Sequence, residues 1–302
     1  MEMNLANSSH RASWRWTLLA VVLMMLCATG CGTADLRTNT LKETGLTPAA
    51  VERGKQVLAE AVQAHGGHDG LGRFTTADVV LRDTWPGWLA RTFFMPWPEN
   101  NQPMRLQYLL GTFTSRVEIL EGEGKGTVKG IQAWHTYAQE PGAEIVFEDD
   151  EEMAFFLPSY HYFFEFPFRI SKAPIVAYAG EDSLHGQRYD LVFVTWNQAE
   201  PDETTDQYIL WINSDTRLID YAQYTVRDQA NWAVGTNHFS DYREVEGIMI
   251  PYKQTITSEP GGTDVLHEMV VEQVRFDTIS PEVLLPDAGL TEMGDRKPEP
   301  TQ

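Results

Sequence analysis

From residue 189 onward, runs of β-branched and aromatic residues follow one another across connections too short for parallel strands. Candidate strands at 189–196, 207–212, 218–227, 238–244, 249–257 and 265–276 are separated by turn chemistry such as Asn213-Ser214-Asp215-Thr216, Glu246-Gly247 and Gly261-Gly262. A parallel pair needs a crossover of about a dozen residues or more, so these neighbours are antiparallel and the segment is a meander. Runs at 77–85, 104–110, 112–121, 127–137 and 143–148 extend the pattern toward the N-terminus. The fold class is therefore mostly β, of the α+β kind. In the run 189–196, Tyr189, Leu191 and Phe193 share one face while Asp190, Val192 and Val194 share the other. That is not a clean apolar–polar alternation, so parts of both faces of the sheet should be covered.

One helix is expected. Thr47 suits the N-cap, Pro48 the first helical position and Gly66 the C-terminal stop, and Val51, Leu58 and Val62 fall on one face. Two stretches interrupt the meander. Residues 85–98 hold three tryptophans and three prolines, and residues 151–170 are dense in aromatics broken by Pro158 and Pro167. Neither alternates as a strand does, and the prolines argue against a long regular helix. Segments this apolar need a cover or must themselves be one. Their aromatics either fill the core or form the lining or lid of an apolar ligand site, with Trp85, Trp88, Phe155, Phe156, Phe163 and Phe164 as the contacting residues.

The first thirty residues differ from the rest. Arg11 and Arg15 precede an uncharged apolar run from Thr17 to Leu26, and Ala28-Thr29-Gly30-Cys31 follows. Such a run falls short of the roughly 20 residues that span a bilayer as a helix, and it fits the core of a cleaved signal peptide. The box resembles that of bacterial lipoproteins, with Ala28, Thr29 and Gly30 as the peptidase recognition residues. The resemblance implies that Cys31 is acylated and becomes the mature N-terminus. Gly32 in place of an acidic residue implies the outer membrane, with the protein facing the periplasm. Cys27 and Cys31 are the chain's cysteines, so processing would leave no pair for a disulfide and none for Cys-rich metal chemistry. The whole chain carries a net charge of −20, and beyond Gly30 it is near −21. That surface repels nucleic acid and anionic headgroups, so membrane association must come from acyl chains. The expected organisation is a signal peptide at 1–30, a lipidated polar tether at 31–46, one β domain at 47–286 and a loose tail at 287–302.

Several motifs taken together resemble the LolA/LolB lipoprotein-carrier superfamily, and more closely a group of bacterial lipoproteins of that type. Ala64-His65-Gly66-Gly67 closes the helix, and Tyr208-Ile209-Leu210-Trp211-Ile212 leads into Asp215-Thr216-Arg217-Leu218-Ile219-Asp220-Tyr221. Phe239-Ser240-Asp241-Tyr242-Arg243 and Val245-Glu246-Gly247-Ile248-Met249-Ile250-Pro251 follow. The resemblance covers most of residues 47–286. It implies a curved antiparallel half-barrel whose N-terminal helix and aromatic-rich inserts pack on the concave side, with an apolar cavity suited to acyl chains. The two inserts and the greater length depart from the carriers, and no functional residue is carried over.

Other clusters read as structural. His65, His68 and Asp69 straddle a helix stop instead of sharing a helical face, and H-E-x-x-H does not occur, so no metal site is expected. His161, His238 and His267 fit buried, hydrogen-bonded imidazoles. Joining them to Ser240 and Asp241 as a triad would be arbitrary without a G-x-S-x-G elbow. The acidic run 148–152 lacks calcium-loop spacing, and Gly122, Gly124 and Gly126 lack the Lys-Ser/Thr of a phosphate loop. The reading is a non-enzymatic, cofactor-free, membrane-anchored binder of an apolar ligand, lipid or lipoprotein acyl chain. The rivals are an interaction subunit with a filled core and, behind it, a hydrolase. Cys31→Ser should abolish incorporation of labelled fatty acid and move the protein from the membrane to the soluble fraction. Retention of the variant in the membrane fraction would assign the anchor to another segment.

Overall fold

The computed structural model describes residues 32–291, so Ala28, Thr29, Gly30 and Cys31 lie outside the described residues. Thirteen strands form one antiparallel sheet: β1 (Thr76–Thr84), β2 (Gln102–Leu109), β3 (Ser115–Ile119), β4 (Val128–Gln132), β5 (His135–Gln139), β6 (Val146–Phe147), β7 (Ile175–Leu184), β8 (Gln187–Thr195), β9 (Gln207–Asn213), β10 (Ile219–Thr225), β11 (Val234–Val245), β12 (Ile248–Thr257) and β13 (His267–Phe276). Their spatial order is 6-5-4-3-2-1-13-12-11-10-9-8-7. The chain thus starts in mid-sheet, meanders to one edge, crosses to the other and meanders back until β13 pairs with β1, Ala77 opposite Phe276. The meander is the expected open, curved half-barrel.

The expected helix forms as α2 (Pro48–Ala64), after a short α1 (Asn39–Thr44). Thr47 caps α2 by accepting from the Ala50 amide at 3.2 Å. Its Val57, Leu58 and Ala61 pack with Val192, Val194, Leu210 and Ile212 on the concave face, and Val62 joins a second concave cluster with Val79, Leu81 and Leu106. The opposite face of β7–β10 is also covered. Tyr189, Leu191, Phe193 and Ile209 pack there with Leu41 of α1. The stretch read as a polar tether is therefore laid against the sheet over its described part. Its anchors are Ala34 N–H to Asn231 O at 2.9 Å, Leu36 N–H to Gln207 Oε1 at 2.9 Å and Thr38 Oγ1 to Ala179 O at 3.0 Å. The beginning of the expected tail is bound as well, with the Gln132 side chain bonding both the amide and the carbonyl of Asp287.

Four local expectations change. Residues 151–170 form α5 (Glu151–Phe164) and α6 (Phe166–Ile170) despite Pro158 and Pro167. Asp150 caps α5 through the Met153 amide at 3.1 Å, and the Ser159 hydroxyl donates to the Phe155 carbonyl at 2.7 Å. Burial of Met153, Leu157, Tyr160 and Phe164 outweighs the roughly 3 kcal/mol that an interior proline costs. Pro167 stands in the first turn of α6, where its missing N–H costs little. The run 127–137 is two strands, turned at Ala133 and Trp134, both with left-handed φ (46° and 68°). A short helix, α4 (Trp88–Phe93), lies inside the tryptophan–proline insert, and α3 (Gly67–Leu71) follows α2. Strand β7 carried no strand signal, because Ala177, Ala179 and Gly180 occupy its centre. Among the described residues no helix is long and apolar enough to cross a membrane.

The small residues of β7 have a partner. A Cβ on Gly54 of α2 would lie 2.5 Å from the Ala177 carbonyl carbon and the Tyr178 nitrogen. Helix and strand touch backbone to backbone at this point. Gly54→Ala, which would favour an isolated helix by about 1 kcal/mol, should instead destabilise the protein by about 1–3 kcal/mol through overpacking. Thermal or urea unfolding measures the sign.

Candidate functional site

The candidate site is the concave face beneath α5 and α6. These helices bridge the two edges of the sheet and pack over both concave clusters. Two buried carboxylates fasten them.

The first is Asp83, near the end of β1 and fully buried. Its Oδ2 accepts from Trp85 Nε1 at 2.7 Å, from Trp97 Nε1 at 3.0 Å and, in a short bond, from the Tyr160 hydroxyl of α5. His267 Nδ1 of β13 lies 2.9 Å from Oδ1, and the Trp85 ring stacks on the His267 imidazole with centroids 4.4 Å apart. Burial, together with the Asp83 charge and hydrogen bond, pushes the Tyr160 phenol well above its usual range, so it stays a donor. A carboxylate removed from water is tolerable only when its lone pairs are filled, and four donors fill them here.

The second is Glu165, between α5 and α6. Its Oε1 meets His161 Nε2 at 2.6 Å and Arg169 Nη2 at 3.3 Å, and its Oε2 accepts from the Gly111 amide at 2.9 Å. Arg169 also donates to the Thr112 carbonyl and lies over the Phe113 ring, 4.3 Å from its centroid. Burial alone would raise the Glu165 carboxyl, but the His161 bond and charge, Arg169 and the Gly111 amide outweigh it and hold the acid below its ordinary value. This cluster ties the helix pair to the turn between β2 and β3.

The six aromatics expected at a ligand site separate into three settings. Trp85 is buried in the Asp83 cluster, and partly buried Phe156 meets it edge-on at 6.4 Å, with partly buried Phe155 beside Phe156 at 5.3 Å. Phe163 packs against Tyr224 and Phe166, and with buried Phe164 and His65 it borders a cavity of about 10 Å³, room for one water at most. Trp88 stands apart on α4, 67% exposed. A larger cavity of about 180 Å³ lies beside α6, where Leu71, Phe74 and Leu110 meet Glu165, Arg169 and Lys172. Both are smaller than the roughly 300–1,000 Å³ of sites that enclose a small molecule. At these two places the helix pair and the sheet fill most of the space with their own side chains.

The histidines take structural places. His65 Nδ1 contacts the Ala61 carbonyl at 2.8 Å, and burial lowers its pKa to about 4. His68 Nε2 meets Ser171 Oγ at 3.1 Å, and His238 stacks on Tyr221. Asp241 is engaged by Arg243, and Asp150 and Glu148 of the acidic run pair with Lys129. Among the described residues no three His, Cys, Asp or Glu side chains converge as metal ligands. The sequence marked the aromatic inserts and the buried imidazoles; it gave no sign that Asp83 and Glu165 would be the acids around which they gather.

Asp83→Asn would aim an amide N–H₂ into a ring of donors, whereas Tyr160→Phe removes one donor and leaves three. Tyr160→Phe should cost about 1.5–3 kcal/mol and Asp83→Asn clearly more, about 3–5 kcal/mol. Chemical unfolding of the two variants gives the order, and equal losses would deny Asp83 its central place.

No protein-family model matches the chain, and no curated protein matches it. Solved structures do. A domain from Vibrio parahaemolyticus described as an outer membrane lipoprotein-sorting protein is 12% identical, with 78% of this chain and 97% of that one covered at a TM-score of 0.48. A DUF1329 family protein from Desulfovibrio piger is 11% identical over 80% and 99% of the two chains, TM-score 0.48. A LolA superfamily protein from Nitrosomonas europaea is 10% identical over 76% and 97%, TM-score 0.44. At these identities no side chain is carried over from them.

Proposed function

We propose that this chain is an envelope protein, anchored at the outer membrane through acylated Cys31 and facing the periplasm, that holds or passes on an apolar chain from a lipid or a lipoprotein without chemical conversion. The observation that carries this reading is the cover over the concave face. A helix pair spanning from one sheet edge to the other lies on two apolar clusters and is pinned at separate points by Asp83 and Glu165. Around the pins, Phe155 and Phe156 before Tyr160 and Phe163 between Tyr160 and Glu165 are partly buried, as expected of rings that could exchange their contacts for a ligand's. The resemblance to lipoprotein carriers and the lipoprotein-type leader point the same way.

The small cavities favour a second reading, in which the core is filled and the chain is an interaction subunit of an envelope complex. A fluorescent fatty-acid probe separates the two. On the first reading the wild-type protein binds the probe, and Phe156→Asp and Phe163→Asp weaken binding at least about tenfold, or about 1.4 kcal/mol. Their melting temperatures fall by only a few degrees, while Val192→Asp, in the sheet itself, unfolds the domain. A wild-type protein that binds no probe, or three variants that all simply unfold, would leave the filled-core reading in place.

A further inference from the structure

Strand register places the ends of β1, β8, β10 and β12, and the starts of β2, β9, β11 and β13, along one rim of the sheet. The connections on this rim carry most of the large exposed apolar side chains among the described residues. Trp88 (67%), Leu89 (50%) and Phe94 (44%) come from the insert after β1, Trp196 (37%) follows β8, Trp232 (49%) lies between β10 and β11, and Leu266 (40%) precedes β13. In the connections of the opposite rim, Val283 alone is so exposed among the described residues. From β1 to β8 the rim spans six strand spacings, about 29 Å. Rings that far apart cannot cover one another, and an extended partner must touch them together. Tryptophan is the side chain that settles at a bilayer–water boundary, with its ring among the acyl carbons and its N–H toward water.

The start of the described chain adds an independent constraint. The Ala34 amide bonds the Asn231 carbonyl at 2.9 Å, Arg227 donates to the Ala34 carbonyl, and Asn231 directly precedes Trp232. Only Gly32 and Thr33 lie between Cys31 and Ala34, and the three steps between them reach at most about 11 Å. An acyl anchor on Cys31 would therefore tether this rim, and not the opposite one, close to a bilayer. We infer that the rim carrying Trp88, Trp196 and Trp232 rests on the bilayer surface in which the Cys31 acyl chains are embedded, and this inference rests on the anchor assigned under the proposed function. The Trp85–Phe156 corner of the lid lies at the same rim, so the docked orientation turns that corner toward the lipid. Glu200, Asp202, Glu203 and Asp206 line the connection after Trp196, so the surface that fits is zwitterionic, and contact is apolar and not drawn by charge.

The full processed chain, purified from membranes, is placed in phosphatidylcholine vesicles with brominated acyl chains, and tryptophan emission is read. Roughly 40% should be quenched, the share of the three exposed rings among the seven tryptophans beyond Gly30. Quenching on phosphatidylcholine should be insensitive to added salt, whereas with phosphatidylglycerol it should be weaker and recover as salt screens the repulsion. The triple variant W88S/W196S/W232S should lose the quenching with an unchanged circular dichroism spectrum while still floating with vesicles through its acyl chains. Unquenched wild-type emission, or equal quenching of the triple variant, would overturn the docking and leave the rim to a protein partner. Mass spectrometry of the N-terminal peptide from the same sample reads the acyl groups separately. A Cys31 without them overturns the anchor while quenching still decides the rim, and acylation with unquenched rings overturns the docking alone.

Discussion

A single buried charge organises the middle of this molecule. Asp83 stands on β1, next to the central strand β13, with its carboxylate oxygens removed from water, a state several kcal/mol less favourable than solvation unless donors replace the lost water. The donors come from three places: Trp85 and Trp97 from the insert after β1, Tyr160 from the helix over the concave face, and His267 from the last strand. Each is bulky and apolar apart from the atom it presents, so satisfying the carboxylate and packing the core are one event. The insert, the cover and the closing strand are thereby set in register with one another.

The two halves of the sheet solve the problem of their exposed faces differently. Over β7–β10 both faces are apolar and both are covered, by α2 with α6 on the inside and by the segment around Leu41 on the outside. Over β1 and β12–β13 the outer face is left to water and carries cross-strand ion pairs such as Arg82–Glu272 and Lys253–Glu268. Exposed pairs of this kind add little to stability. Their use is to keep the wide outer surface of the curved sheet wetted.

Local chemistry was legible in the sequence and long-range chemistry was not. The Thr47-Pro48 cap and the short turns could be read because cap and turn preferences act over a few residues. The half-barrel came from their order along the chain. The turn at Ala133-Trp134 was invisible because neither residue type advertises a left-handed φ. Strand β7 was invisible because its alanines answer to Gly54 of a helix well over a hundred residues earlier, not to strand propensity. For the site, density of aromatic residues flagged both inserts, but an acid in a strand reads as solvent-facing until its partners are known. His267, one of those that bury Asp83, is 184 residues away. Pro158 misled for the same reason, since a local penalty was outweighed by tertiary burial.

The pairing of β13 with β1 has a consequence for how the protein is made. A chain delivered N-terminus first presents β1 in mid-sheet long before β13 has arrived, and the strands from β7 onward complete the second half meanwhile. Throughout that interval β1 is an open edge with unpaired amides and carbonyls and an acid awaiting its histidine, a template for mispairing with another chain. Loss of β13 (His267–Phe276) therefore removes the one strand that joins the two meanders in the sheet and leaves β1 and β12 as unpaired edges held only through the helices on the concave face.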